Sequence, residues 1–437
     1  MPLNGGVPTN ARLAALLVFA SACASASCDR CGGGAAEQKD AAPATPSVSA
    51  PPVDHERDHD AALLAPAASD ASAACVSDGA PPAAWPSACR LAYGPAEQTF
   101  RGPAAIVATG TELKLVANDG GKPRVYTIPL TAPPPASATL AAPPKPSSFV
   151  AMRWPPCEMA GRWAYCQAAG GMVYRTTLGS TDTKQIAKSA PRTRVAAAAL
   201  GPDHAVVGTL DSRRTTEGVL LQAFVTLDDG ETARLSEDGA GATVLRLVTR
   251  GERAVALYLD ARMAMLPVHA RPMSARGKEL ALDEDAVVYV GGPPERGIDL
   301  TAALAGRSLF GLIATARETT DFGMAAIPIA EHPKEDVQAA WSPYPNGLDP
   351  APIAATVQGT GDGPAWVARV RPSERAVGSP QILELGKLDA AGAFTSLGAI
   401  AADKRITDLA IAADSFGSVW ILYGDPSATW LERRVCP

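Results

Sequence analysis

The 437-residue chain has few aromatic residues, 5 % in all, and only 10 lysines and five histidines. No excess of positive charge is present: 39 Lys and Arg face 45 Asp and Glu, a formal net charge of −6. Nucleic-acid binders carry a basic stripe, so that class is excluded as a partner. Arg outnumbers Lys 29 to 10 in a chain crowded with Ala, Pro and Gly, which reads as compositional drift and not as a phosphate-binding surface. Phosphate cradles of the G-x-x-x-x-G-K-[ST] or G-x-G-x-x-G kind are missing. The 39 Gly and 39 Pro exclude a coiled coil or long-helix bundle. What is present is 47 % hydrophobic content, too much for a wholly disordered chain. At this length the chain has room for one large repeat fold or several smaller domains.

Leu13 to Ala26 (LAALLVFASACASA) is an unbroken run of apolar and small residues preceded by a single charge, Arg12. Its 14 residues fall short of the roughly 20 that span a bilayer. A weakly basic start, a short apolar stretch and small residues after it describe a secretory signal. Within it, Ala20-Ser21-Ala22-Cys23 resembles a bacterial lipobox, in which small residues precede a Cys that is acylated and becomes the new N-terminus. The resemblance implies lipid attachment at Cys23 and, since Ala24 and not Asp follows, sorting to the outer membrane or cell surface. Lipobox sequences prefer Leu where Ala20 stands, so simple cleavage after Ala22 or Ala26, giving a periplasmic or secreted protein, stays open. Residues 1–22 are thus expected to be a signal peptide. Residues 23–84, Ala-, Pro- and Ser-rich with almost no Ile, Phe or Tyr, are expected to be a disordered tether that cannot offset its ordering entropy.

His55-Glu56-Arg57-Asp58-His59 matches H-E-x-x-H, the helical zinc-protease signature. The two intervening residues are charged where zinc proteases bury apolar ones, and no His or Glu lies between His59 and Glu97 to complete the ligand set. It reads as a solvated charge cluster. No D-x-[DN]-x-[DN]-G calcium loop occurs, and neither a metal nor a cofactor is expected.

From Trp85 the texture changes to short β-branched and aliphatic runs bounded by Gly, Asp and Pro, which read as strands. A unit recurs: an apolar strand, a tight polar turn, then a second apolar strand. Its clearest copies are Ile406 to Gly424 and Pro352 to Val370, followed by Arg194 to Leu210 and Thr243 to Leu259. One core residue of each second strand marks the period: Leu113, Trp163, Val206, Val255, Leu309, Trp366 and Trp420, spaced by 50, 43, 49, 54, 57 and 54 residues. Seven units near fifty residues, each with further strands after the hairpin, predict an all-β fold, a seven-bladed β-propeller over residues 85–437. The turn Asp414 to Trp420 (Asp-x-x-Gly-x-x-Trp) resembles the blade turns of bacterial secreted propellers. Two tandem β-sandwiches remain the competing architecture.

Export makes the eight Cys candidates for disulfides. Cys157 and Cys166 flank one hairpin turn and are expected to pair locally. Propellers commonly close by placing an N-terminal strand beside the C-terminal ones, so the strand starting at Cys89 is expected to reach the end of the chain and bridge Cys89 to Cys436. Cys75 is left unpaired, joined to Cys28 or Cys31, or itself the partner of Cys436.

Candidate chemistry is sparse. Ser308 in Gly306-Arg307-Ser308-Leu309-Phe310-Gly311 misses a nucleophile elbow by one residue and reads as a turn residue. His204, His269 and His332 fall in three different units and read as exposed. Asp283-Glu284-Asp285 and Glu335-Asp336 read as solvated loops, although converging carboxylates could serve a glycosidase. Trp163, Trp366 and Trp420 share one repeat position and read as packing residues, whereas Trp154, Trp341 and Trp430 are freer to line a binding face. The expected function is a non-enzymatic, membrane-tethered extracytoplasmic propeller that binds a protein or glycan. The alternative is a propeller glycoside hydrolase or lyase with carboxylates at the channel mouth, and three or more Asp, Glu, His or Arg side chains converging on one face would favour it.

Overall fold

The computed structural model describes residues 87–437, apart from 99–103, 120–121, 136–156, 169, 192, 216–217, 229, 238–239, 261–266, 291–298, 317–321, 336, 345–352, 357–362, 373–380, 403–404 and 425–427. The signal, the lipobox Cys23, the tether, the H-E-x-x-H cluster, Cys28, Cys31, Cys75 and Trp154 lie outside the described residues, as does most of the Pro-rich stretch Pro133 to Pro146.

Among the described residues there are strands and turns and no helix. Strand β1 (Arg90–Glu97) comes first and is set aside for the last blade. Blade 1 contains β2 (Ala104–Thr109), β3 (Glu112–Asp119) and β4 (Lys122–Pro129). Blade 2 contains β5 (Glu158–Ala160), β6 (Trp163–Gln167), β7 (Met172–Thr177) and β8 (Thr183–Lys188). Blade 3 contains β9 (Ala196–Leu200), β10 (His204–Thr215), β11 (Gly218–Leu227) and β12 (Thr232–Arg234). Blade 4 contains β13 (Ala242–Arg250), β14 (Arg253–Asp260), β15 (Pro267–Arg276) and an outer edge split into β16 (Glu279–Leu282) and β17 (Ala286–Val290). Blade 5 contains β18 (Leu300–Ala305), β19 (Ser308–Ala316), β20 (Phe322–Ile329) and β21 (Ala340–Pro343). Blade 6 contains β22 (Ile353–Ala355), β23 (Ala365–Pro372), β24 (Gln381–Leu388) and β25 (Phe394–Ala402). Blade 7 contains β26 (Asp408–Ala413), β27 (Ser418–Gly424) and β28 (Thr429–Val435), with β1 pairing antiparallel to β28 as its fourth strand.

Every blade is an antiparallel meander, and the seven marker residues all sit on its second strand. The inner strands β2, β5, β9, β13, β18, β22 and β26 each touch the next, and β26 touches β2, so the ring closes. Closure excludes the tandem-sandwich architecture. Inner strands crowd around the axis, where small side chains fit best: β9 is AAAAL, β18 LTAALA and β26 DLAIAA. The apolar core is likewise divided among the seams. One cluster joins blades 3 and 4 through Leu210, Val225, Leu245 and Tyr258, another joins blades 6 and 7 through Trp366, Leu385, Ile411 and Val419, and a third joins blades 7 and 1 through Leu113, Leu115, Trp420 and Leu431. Gly208 lets blade 4 approach blade 3, since a Cβ there would stand 2.7 Å from Leu245 Cδ2.

Both disulfides continue a strand register by one step. Arg90 faces Val435, so Cys89 lies opposite Cys436 with Cα atoms 4.1 Å apart, and Glu158 faces Tyr165, so Cys157 lies opposite Cys166 at 4.4 Å. The first ties together positions 347 residues apart.

Trp341 and Trp430 do not line a free face. They stand on β21 and β28 and pack, half-buried, into the seams of blades 4–5 and 6–7, because a strand alternates sides and one side of each blade meets its neighbour.

Candidate functional site

Each inner strand begins at the same end of the ring, and there the sequence places charge ahead of the Ala-rich runs. Glu158 opens β5, Arg194 precedes β9 by two residues, Asp299 precedes β18 by one, and Asp408 opens β26. Arg246 joins them from β13. Arg194 donates from Nε to Glu158 Oε1 at 2.7 Å, linking blades 2 and 3. Arg246 donates from Nη2 to Asp299 Oδ1 at 2.9 Å and from Nη1 to the Leu245 carbonyl at 3.1 Å, linking blades 4 and 5. Asp299 Oδ2 accepts the Ile353 N–H at 3.1 Å, which carries the chain of contacts into blade 6.

These charges feel one another. Burial alone would lower Arg194, but the carboxylates of Glu158, Asp299 and Asp408 hold it above its ordinary value. Burial pushes Arg246 down to about 10, with the positive charge of Arg194 adding to the effect and Asp299 and Glu158 opposing it. Arg194 is desolvated by surrounding protein, yet 33 % of its side chain is open to solvent, and Glu158 is open to 22 %. Water thus reaches the Arg194–Glu158 pair where the inner strands begin, and that end of the ring is the recess considered below. Arg246 is sealed more deeply, at 10 %.

The recess was missed in the sequence because its members stand about one repeat apart, and each alone reads as a strand-end residue. A signal was present: Asp299-Leu300 and Asp408-Leu409 head two units in the same way, just ahead of their Ala-rich inner strands.

The other sequence candidates land elsewhere. His332 is exposed. His204 is half-buried, its Nδ1 2.7 Å from Asp228 Oδ2. His269 corrects the expectation of exposure: it is buried, stacks on Tyr258 with ring centroids 4.6 Å apart, and lies 3.0 Å from Asp285 Oδ2. Asp283-Glu284-Asp285 is accordingly no simple solvated loop. It interrupts the outer edge between β16 and β17, so Asp285 reaches inward to the Tyr258 hydroxyl and His269 while Asp283 pairs with Arg253. Burial, with the Asp285 carboxylate, pushes Tyr258 well above its ordinary value. Ser308 starts β19 opposite Ala305, just past the hairpin turn. Glu335 is exposed. Among the described residues no group of three or more His, Cys, Asp or Glu could hold a metal ion.

A second concavity, a groove of about 590 Å³, lies between Lys114, Lys122 and Arg124 of blade 1 and the Gly179 to Thr183 turn of blade 2. Charged and hydroxyl side chains stand along it, and Lys114 and Arg124 lean on Glu112 and Asp119 at 3.6 and 3.4 Å.

No protein-family profile and no curated protein sequence matches the chain. Among solved structures it is similar to a Trypanosoma rangeli sialidase in complex with sialic acid, at 11 % identity over 64 % of this chain and 53 % of that one, with a TM-score of 0.41. It is similar to a puromycin hydrolase, at 15 % identity over 78 % and 55 %, TM-score 0.40. It is also similar to the six-bladed fucose-recognising lectin of Aleuria aurantia, at 14 % identity over 63 % and 88 %, TM-score 0.37. The chain spans about half the length of the sialidase and of the hydrolase. At these identities and scores the likeness concerns architecture only.

Proposed function

We propose that the chain is a non-enzymatic, membrane-tethered extracytoplasmic propeller, lipidated at Cys23, whose recessed mouth binds a protein or glycan. The observation that carries the reading is the commitment of the converging carboxylates. Glu158 is held by Arg194, and Asp299 by Arg246 and two backbone N–H groups. A glycosidase pair needs two carboxylates turned toward one scissile bond, whereas these two are already taken up by arginine and main-chain donors. Such a mouth presents fixed donors and acceptors to a ligand. Two disulfides support an oxidising compartment.

The test is a pull-down from envelope membranes with the tagged full chain and its own signal, run beside Glu158→Gln and Arg246→Gln. Partner capture is expected to fall at least tenfold in both variants while the melting temperature moves little in the first. Equal capture by all three would overturn the reading. Mass spectrometry of the mature N-terminus is expected to find acyl chains on Cys23.

One observation favours the enzymatic alternative, a glycoside hydrolase or lyase: Glu158, Asp299, Asp408 and two arginines from five blades act on one place. Turnover of an aryl-glycoside or uronide panel, abolished by Glu158→Gln, would establish it and displace the binding reading.

A further inference from the structure

Strands β10 and β11 pair much farther than their neighbours support them. Their register runs without a break from Val206↔Leu227 to Thr215↔Gly218. Strand β9 covers β10 only from His204 to Gly208, and β12 covers β11 only from Phe224 to Thr226. The connecting segments extend the support slightly: Ala190 N–H donates to the Leu210 carbonyl at 2.6 Å, and Leu235 N–H to the Ala223 carbonyl at 2.8 Å. From Asp211↔Gln222 outward, five residue pairs project with no third strand, an arm of about 17 Å at 3.4 Å per residue.

The arm stands at the mouth. Strand β10 runs antiparallel to β9, so its far end and the hairpin leave the ring at the end where β9 begins, just after Arg194. Ser212, Arg213, Arg214, Gly218 and Val219 are all exposed, and Val219, at 69 %, leads the exposed large hydrophobic residues among those described. The described part of the arm carries two arginines against one aspartate, Asp211, which pairs with Arg213 at 3.0 Å.

Two-stranded hairpins are marginal in water by themselves, and free strand edges invite pairing with another chain. The Leu210 carbonyl points toward the β9 side of the sheet, so by the two-residue alternation Ser212 and Arg214 turn their backbone N–H and C=O groups to that same side, beyond the end of β9. We infer that the β10–β11 hairpin is a docking arm, to whose recess-side edge a protein partner adds an extended strand carrying acidic residues opposite Arg213 and Arg214. Main-chain bonds to Ser212 and Arg214 supply affinity, and cross-strand pairing of opposite charges supplies register. The inference rests on the mouth being the binding face and narrows its partner to a protein.

The test immobilises the full chain and selects extended peptides from a random display library. It uses a truncated variant in which Asn-Gly joins Asp211 directly to Gln222, a two-residue turn that suits that pair. Acidic peptides with alternating apolar residues are expected to be enriched, to slow amide exchange at Ser212 and Arg214, and to bind at least tenfold more weakly to the truncated chain and to Arg214→Glu, with Arg214→Lys retaining binding. No enrichment over the truncated chain, or equal binding to both, would overturn the inference. So would dimerisation, or sedimentation with phosphatidylglycerol vesicles, that is lost on truncation, since either assigns the arm to a second copy or to lipid. The same charge reversal at an exposed site away from the arm and the recess, Lys334→Glu, is expected to leave peptide binding intact. Failure of the arm with partner capture still sensitive to Glu158→Gln would sink only this inference, and the converse would sink only the reading of the recess.

Discussion

Blade 7 and the mouth use the same chemistry, arginine against carboxylate, to different ends. In blade 7, Asp414 is fully enclosed: Oδ1 accepts the Phe416 and Ser418 N–H groups at 3.0 and 2.9 Å, and Oδ2 accepts Trp420 Nε1 at 3.0 Å and Arg433. Arg433 lies 5.3 Å from the Trp420 ring centroid and donates to the Thr131 carbonyl across the seam with blade 1. Blade 6 repeats the device, with Glu384 taking Arg369 at 2.8 Å and Arg371 at 3.3 Å while Arg369 sits over the rings of Tyr344 and Phe394. At the mouth the pairs join different blades and water reaches them. A sealed pair is costly to break because its partner is left charged and dry, and a wetted pair contributes little to stability while remaining addressable by a ligand.

That contrast can be broken at several strengths. Replacing Cys89 and Cys436 by Ser is expected to have the largest effect, about 6 kcal/mol in the chain-entropy view because the closed loop is so long. Denaturant unfolding of the oxidised and double-Ser chains measures it, and an unchanged midpoint would show that blade 7 holds without its clasp. Asp414→Ala follows, with a loss of about 3–5 kcal/mol, since it strands Arg433 and Trp420 Nε1. Thermal unfolding is the readout, and a loss near zero would place blade 7 in the same class as the mouth.

Glu384 gives a pH-dependent test. Burial alone would raise its carboxyl, but Arg369, the Ser396 hydroxyl and Arg371 hold it below the ordinary 4.5. A folded value below the unfolded one stabilises fully above pH 4.5, and that stabilisation is lost as pH falls through the folded value. The melting temperature is therefore expected to drop on acidification from pH 5, with a shallower drop in Glu384→Gln. Glu158→Gln at the mouth closes the series with about 1 kcal/mol or less of stability lost. A loss as large as that of Asp414→Ala would make the recess a structural strut and remove the basis for a binding site.

Much of the fold was legible because propeller strands are local objects. Trp163, Trp366 and Trp420 recur at one place in the unit and are buried at 6, 8 and 3 %, each on the second strand of its blade. The strand beginning after Cys89 was placed by the way propellers commonly close, and it pairs with β28 as the fourth strand of blade 7. Burial of single polar residues was less legible. His269 and Asp285 look like loop residues until the split outer edge of blade 4 turns the carboxylate inward. The candidate site was the least legible part, since Glu158, Arg194, Arg246, Asp299 and Asp408 share no motif and meet only at the hub.

Periodic alternation of apolar runs with Gly- and Asp-bearing turns decided by itself that the chain would form short antiparallel sheets, and their number decided that seven would be available. Which charges share a recess, which carboxylates are sealed and how far one hairpin outgrows its neighbours were decided only when the ring closed. Strand formation depends on neighbours a few residues away, whereas the recess depends on side chains brought together from five separate blades, a distance that no local pattern encodes.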